Sequence, residues 1–357
     1  MTIDVIKVLL PAVTAFTIGI ILTPVLTHYL YKHKAWKKRS TSVSVDGSPA
    51  PISQKLHNDE NKKTPRMGGI IIWSATLITT LLFWALALIF PGELTDKLDF
   101  LSRDQTWIPL FTLLLGAAVG LIDDLYAVTD RPGYQGGGLS LSTRLLVVSV
   151  AALFLGWWFW DKLEVTTIGI PFGQPLEIGI LVIPLFIAIS LALYASGVID
   201  GIDGLSGGVF GSVFAAYALI AFFQSQLNVA ALAAAISGGI LAFLWFNIPP
   251  ARFYMSDTGS MALTLALAAI VFMTDSLGGG IGVAALPIIG FILVATVLSN
   301  IIQVASKKFR GGKKVFVVAP LHHHFEAIGW PSAKVTMRYW VLAIMLAIVG
   351  VAFALIG

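Results

Sequence analysis

The chain has 357 residues, of which 57% are hydrophobic and 12% charged, with a formal net charge of +4 and no cysteine. Soluble domains carry about 25% charged residues, so this composition excludes a string of soluble domains. The missing cysteine excludes a disulfide framework and a thiolate metal site. What remains is an all-α polytopic integral membrane protein, a single transmembrane domain over 1–357.

Ten stretches are long and apolar enough to span a bilayer, which needs about 20 residues each. In chain order they fall near 7–30, 67–90, 107–126, 143–160, 179–197, 205–224, 229–247, 259–274, 281–304 and 336–356. The first is too long for the core of a cleavable signal peptide and has no cleavage site behind it. An even number of spans places both termini on one side. The segments 31–66, 127–142, 198–204, 248–258 and 305–335, with the flanking helix ends, hold 19 of the 23 Lys and Arg. The positive-inside rule makes those segments cytoplasmic and both termini periplasmic. Residues 31–66 read as a partly mobile basic connector, and 305–335 as a more ordered loop with a short hairpin around Gly311-Gly312.

Polar motifs then accumulate at the cytoplasmic ends of the spans. A charged side chain at the centre of a spanning helix costs roughly 2.5–3.5 kcal/mol on insertion scales, so their gathering on one face implies a site. The third span ends in Asp123-Asp124, where one carboxylate can hold a hard cation and the other take a proton. Between the fifth and sixth spans lies Asp200-Gly201-Ile202-Asp203-Gly204. Its glycines allow close approach of backbone to phosphate, and its acids can ligate metal or cap the sixth helix. Asn247 ends the seventh span. Asp257 opens the eighth, at a helix N-terminus suited to an anion or to simple capping. Pro320 precedes His322-His323-His324, imidazoles able to donate to phosphate, serve in acid–base work or sit in a solvated turn. Consecutive histidines do not easily converge on one metal. The basic cluster Lys307, Lys308, Arg310, Lys313 and Lys314 suits anionic lipid or phosphate, and no nucleic-acid recognition module accompanies it.

Together these segments resemble the polyprenyl-phosphate N-acetylhexosamine-1-phosphate transferase superfamily. The likeness runs through Thr64-Pro65-Arg66-Met67-Gly68-Gly69, Ile122-Asp123-Asp124, Asp200-Gly201-Ile202-Asp203-Gly204-Leu205, Phe246-Asn247, Met255-Ser256-Asp257-Thr258-Gly259-Ser260, Ile301-Ile302-Gln303-Val304 and Ala319-Pro320-Leu321-His322-His323-His324-Phe325-Glu326. The histidine triplet, with Gly329-Trp330 after it, is most similar to the branch that transfers phospho-N-acetylmuramoyl-pentapeptide. The resemblance implies ten helices in the plasma (inner) membrane of a bacterium and a Mg²⁺-dependent transfer from UDP-MurNAc-pentapeptide to undecaprenyl phosphate. It further implies Asp257 as the metal ligand and Asp123 and Asp124 as catalytic groups. Asp200, Asp203, Asn247, Gln303, His322, His323, His324, Lys62 and Lys63 would bind substrate, and the protein would form a homodimer. The chain departs from the pattern at Gly197, Asn61, Arg66 and Gly136-Gly137-Gly138, where the family usually carries Asn, Lys, Thr and a Lys respectively. Arg66 is more like the branch that uses UDP-GlcNAc, which stays open as a second enzymatic reading. An ion-coupled transporter is the reading from another class, although transporter sites lie near the bilayer midplane.

Overall fold

The computed structural model describes residues 2–36, 63–129 and 138–357. Thirteen α-helices account for most of them: α1 (Thr2–Lys32), α2 (Ile70–Ile89), α3 (Glu93–Leu98), α4 (Trp107–Val128), α5 (Leu141–Asp161), α6 (Val182–Ser196), α7 (Leu205–Phe223), α8 (Leu227–Asn247), α9 (Ser256–Met273), α10 (Gly282–Ile289), α11 (Phe291–Phe309), α12 (Leu321–Ala327) and α13 (Ser332–Ile356). Ten helices among the described residues are long and apolar enough to cross a membrane; nine coincide closely with expected spans, and the ninth, Phe291–Phe309, covers only the later part of its expected stretch. The connector over 31–66 lies largely outside the described residues, as does Lys62.

α9 is the axis of the bundle, enclosed by protein along nearly its whole length. α4 packs along it, α8 joins α1, α2 and α7, and α13 closes on α7. Small side chains set this intimacy. Five alanines between Ala230 and Ala235, interrupted by Leu232, are buried in α8, and in lipid such small residues let helix backbones approach closely. Larger side chains fill what remains, as where the Phe159, Phe186 and Phe272 rings meet at centroid distances of 4.8–5.8 Å. Outer helices expose their large apolar residues, for instance Leu146, Val150 and Leu153 on α5, a surface that only hydrocarbon would solvate without penalty.

Two local expectations need correction. The ninth span is not one continuous helix. It breaks at Gly290 into α10 and α11, three residues after Pro287, which supplies no N–H to the ladder. Gly311 and Gly312 do form a turn, both with positive φ, but no strands pair across it. The N–H groups of Val315 and Phe316 go to the Gln303 side chain instead. One loop of this all-α fold carries a two-residue antiparallel ladder, β1 (Thr167–Ile168) with β2 (Leu176–Glu177).

That ladder belongs to a polar latch at the end of the bundle opposite the acidic motifs. Asp275 is almost fully buried and accepts from the N–H groups of Gly169 at 2.8 Å and Val283 at 2.9 Å. Ser276 donates its hydroxyl to the Thr167 carbonyl. Burial holds the Asp275 carboxyl above its ordinary value, opposed by the Gly169 and Val283 N–H groups. One side chain thus ties the β1–β2 loop to the ends of α9 and α10. Asp275→Ala leaves two buried donors unmet, each costing about 1–3 kcal/mol. A fall in thermal unfolding temperature with near-normal activity of the folded fraction is the expected result, and an unchanged unfolding temperature would contradict the latch.

Candidate active site

The acidic motifs converge because α4 and α9 lie almost in backbone contact. A methyl group at Gly120 would sit 2.1 Å from the Asp257 carbonyl oxygen, and one at Gly116 would sit 2.4 Å from that of Met261. With both positions bare, Asp123 and Asp124 at the end of α4 reach Asp257 on the first turn of α9. One carboxylate oxygen from each of the three lies within 4.8 Å of the others.

The two adjacent aspartates point apart along the helix, as their 100° separation requires, and are held by different elements. Asp124 Oδ2 accepts from the Thr258 N–H at 2.9 Å and from its hydroxyl at 2.7 Å. Asp123 Oδ1 accepts from the Leu139 N–H at 2.7 Å. The α9 N-terminus therefore takes its caps from other segments, since the Ser256 N–H donates to Asp200 Oδ2 at 2.8 Å. Asp257 need not cap its own helix, and its carboxylate faces the cleft with 22% of the side chain exposed. Ser256, immediately before it, has φ +57°, a left-handed conformation that costs a non-glycine residue about 1–3 kcal/mol and is tolerated where surroundings enforce it.

Two arginines complete the cluster. Arg66 Nε lies 3.0 Å from Asp124 Oδ1, and its Nη2 lies 3.5 Å from Asp257 Oδ2. Arg144 Nε lies 2.9 Å from Asp123 Oδ1, and its Nη1 lies 3.6 Å from the same Asp257 oxygen. Burial works against the Arg66 charge, but Asp124 and then Asp257 more than offset it, so the guanidinium is held above its ordinary value. Sequence reasoning missed both roles. Arg144 did carry a signal, being a lone cation one turn inside an apolar span, where charge marks function.

The second acidic motif forms the adjoining wall. Asp200 accepts from the Ser206 hydroxyl at 2.7 Å as well as from Ser256. Its carboxyl is held above the ordinary value by burial, which these two donors oppose. Asp203 does not cap α7, whose N-cap is Gly204; it accepts from the Ala251 N–H at 2.9 Å instead. Asn247 clamps both segments, accepting from the Gly204 N–H at 2.9 Å and donating to the Phe253 carbonyl at 2.8 Å. Buried and engaged at both ends of its amide, Asn247 stands where it positions the loop.

The histidines come from α12, not from an irregular turn. A methyl at Gly201 would lie 2.7 Å from His323 Nε2 and 2.9 Å from His322 Nε2, so the glycine lets two imidazoles press against the Asp200 loop. His323 Nδ1 is 2.7 Å from Glu326 Oε2, and His324 Nδ1 accepts from the Val317 N–H at 3.2 Å. The triplet therefore splits: His322 and His323 face the Asp200 loop, while His324 secures the preceding segment. Gln303 is likewise a brace, accepting from Val315 and Phe316 and donating to the Phe316 carbonyl at 2.8 Å. Lys63 is exposed, at the edge of the Arg66 segment.

The donor set can be tested for a divalent ion. Three carboxylates supply the hard oxygen ligands that Mg²⁺ and similar ions take. Asp123 Oδ2 is buried without a donor among the described residues, as an oxygen intended for a cation would be. The residues present fit such an ion.

A multi-helix membrane bundle with acidic side chains gathered at one end matches the class to which comparison assigns it: residues 106–275 match the family described as Glycosyl transferase family 4. Relatives extend the match across the chain. The phospho-N-acetylmuramoyl-pentapeptide-transferase of Listeria innocua is 34% identical over 94% of this chain and 95% of its own length. That of Dichelobacter nodosus is 33% identical over 96% and 91%, and that of Anoxybacillus flavithermus 32% over 96% and 97%. The chain belongs to the phospho-N-acetylmuramoyl-pentapeptide-transferase family. It is a multi-pass protein of a bacterial inner (plasma) membrane.

Proposed function

We infer that this protein transfers phospho-N-acetylmuramoyl-pentapeptide from UDP to undecaprenyl phosphate, releasing UMP, in the first lipid-linked step of peptidoglycan synthesis. The observation that carries this reading is the Asp123–Asp124–Asp257 triad, one oxygen of each within 4.8 Å, in a chain of this family. The basic loops support a triad at the cytoplasmic face, where a soluble nucleotide donor and a membrane-bound acceptor would meet, with both termini in the periplasm. Transporter sites usually lie near the bilayer midplane, whereas these acids lie at helix ends, and the family is one of transferases.

The residues divide the work as follows. Asp123, Asp124 and Asp257 would hold Mg²⁺, with Asp257 the principal ligand. When bound, the ion would neutralise charge on the pyrophosphate and on the departing UMP. Asp123 would also help orient the incoming lipid phosphate, which is already largely anionic at neutral pH, so no strong base is needed. Arg66 and Arg144 bring two positive charges to the same cleft. The Asp200–Asp203 loop, with His322 and His323 against Gly201, forms the wall where the nucleotide-sugar would lie. Positioning and charge stabilisation would then supply most of the acceleration.

The test is UMP release by purified protein with undecaprenyl phosphate and Mg²⁺, using UDP-MurNAc-pentapeptide and, separately, UDP-GlcNAc. Release with the muramoyl donor alone, abolished by chelation and restored by Mg²⁺, is expected. Release with UDP-GlcNAc alone would move the chain to the sister activity that Arg66 resembles.

A further inference from the structure

The triad's negative charge is matched within the chain by two guanidiniums, and the pattern of their contacts is uneven. Each arginine makes a close Nε contact to one member of the Asp123–Asp124 pair, at 2.9 and 3.0 Å, and a longer one to the shared Asp257 oxygen, at 3.6 and 3.5 Å. A divalent ion drawing one oxygen from each carboxylate competes for those same groups, and a dication beside two cations is strongly repelled. The arginines and the ion are therefore alternatives for Asp257.

We propose that Arg66 and Arg144 are exchangeable counter-ions of the triad, bridging it to Asp257 until a divalent cation binds and then turning onto the phosphates of the nucleotide donor. This rests on the reading of the triad as a metal site given above. The backbone around Arg66 is anchored while its side chain stays partly exposed. The Arg66 N–H donates to the Ala35 carbonyl at 2.7 Å, the Tyr254 N–H to the Pro65 carbonyl at 2.9 Å, and the Gly68 N–H to the Tyr254 carbonyl at 2.8 Å. Its side chain is 24% exposed and that of Arg144 20%, so each borders the cleft. A guanidinium fork fits carboxylate and phosphate equally well, so the swing exchanges one matched pair for another.

An arginine that merely pins the helices predicts the opposite sign: its removal would loosen the triad and weaken metal binding. The measurement is Mn²⁺ affinity by electron paramagnetic resonance on the purified full-length protein without nucleotide, for wild type, Arg66→Gln, Arg66→Lys and Arg144→Gln. Exchange predicts Mn²⁺ binding about 5–30-fold tighter in Arg66→Gln, an intermediate value in Arg66→Lys, and a raised KM for UDP-MurNAc-pentapeptide. Arg144→Gln reports the same sign should the first variant fold poorly. Unchanged or weaker Mn²⁺ affinity in the folded glutamine variants overturns the exchange and leaves the metal site standing. No Mn²⁺ bound by wild type overturns both.

Discussion

Asp257→Asn is expected to lower the rate of UMP release by about three orders of magnitude, roughly 4 kcal/mol of barrier, with little change in thermal unfolding. The fold tolerates the change because Asp257 supports little of it. The first N–H groups of α9 are met by Asp200 and Asp124, so no cap is lost, and asparagine keeps the shape. What disappears is the charge of the one triad member that faces the cleft. Removing a single preorganised group at a centre of developing charge costs about 10²–10³ in turnover, and loss of the principal metal ligand adds to that. Near-normal turnover in the folded variant would remove Asp257 from the metal site. A large drop in unfolding temperature would instead mean that its contacts with Arg66 and Arg144 hold the helices together.

Much of the architecture is legible in the sequence because spanning a bilayer leaves a one-dimensional record. Apolar runs of the right length locate nine of the ten spans to within a few residues and overlap the ninth, and the polar motifs at their ends mark the triad. The interior of the site is less legible for a physical reason. Which oxygen meets which donor depends on the separation and rotation of helices distant in the chain. Asp257 looks like a cap from its position, yet the capping is done in trans by Asp124 and Asp200. Asp203 looks like a cap for α7 and instead reaches Ala251. Asn247 and Gln303 sit in motifs that resemble substrate-binding segments, whereas their amides are spent on backbone groups of neighbouring loops. Arg66 is a departure from the family pattern when read along the chain. In three dimensions it faces two of the three acids.

Helix separation is also where the sequence leaves its subtlest mark, and it sets the second large effect. Gly116 and Gly120 are four residues apart on α4, the small-xxx-small spacing that brings helix backbones together in membranes. Gly120→Ala would place a carbon 2.1 Å from the Asp257 carbonyl oxygen and 2.4 Å from its carbonyl carbon. Even close carbon–oxygen contacts between packed backbones lie at about 3.3–3.6 Å, so α4 and the start of α9 must separate by an ångström or so. No flexible side chain can absorb this, since the obstructing atoms are backbone. The displacement falls on the residue whose carboxylate completes the triad, and a shift of that size at a reacting centre costs on the order of 10²-fold in rate. Gly120→Ala should therefore lose about that much turnover together with several degrees of unfolding temperature. Gly116→Ala provides the control: its methyl would meet Met261 at 2.4 Å, one turn farther from the acids, so a comparable loss of stability with a smaller loss of rate is expected. Equal loss of rate in both variants would mean that general destabilisation, not the spacing of Asp123 and Asp124 from Asp257, limits turnover. Wild-type turnover in Gly120→Ala would mean that the close contact of α4 with α9 does not set the geometry of the site.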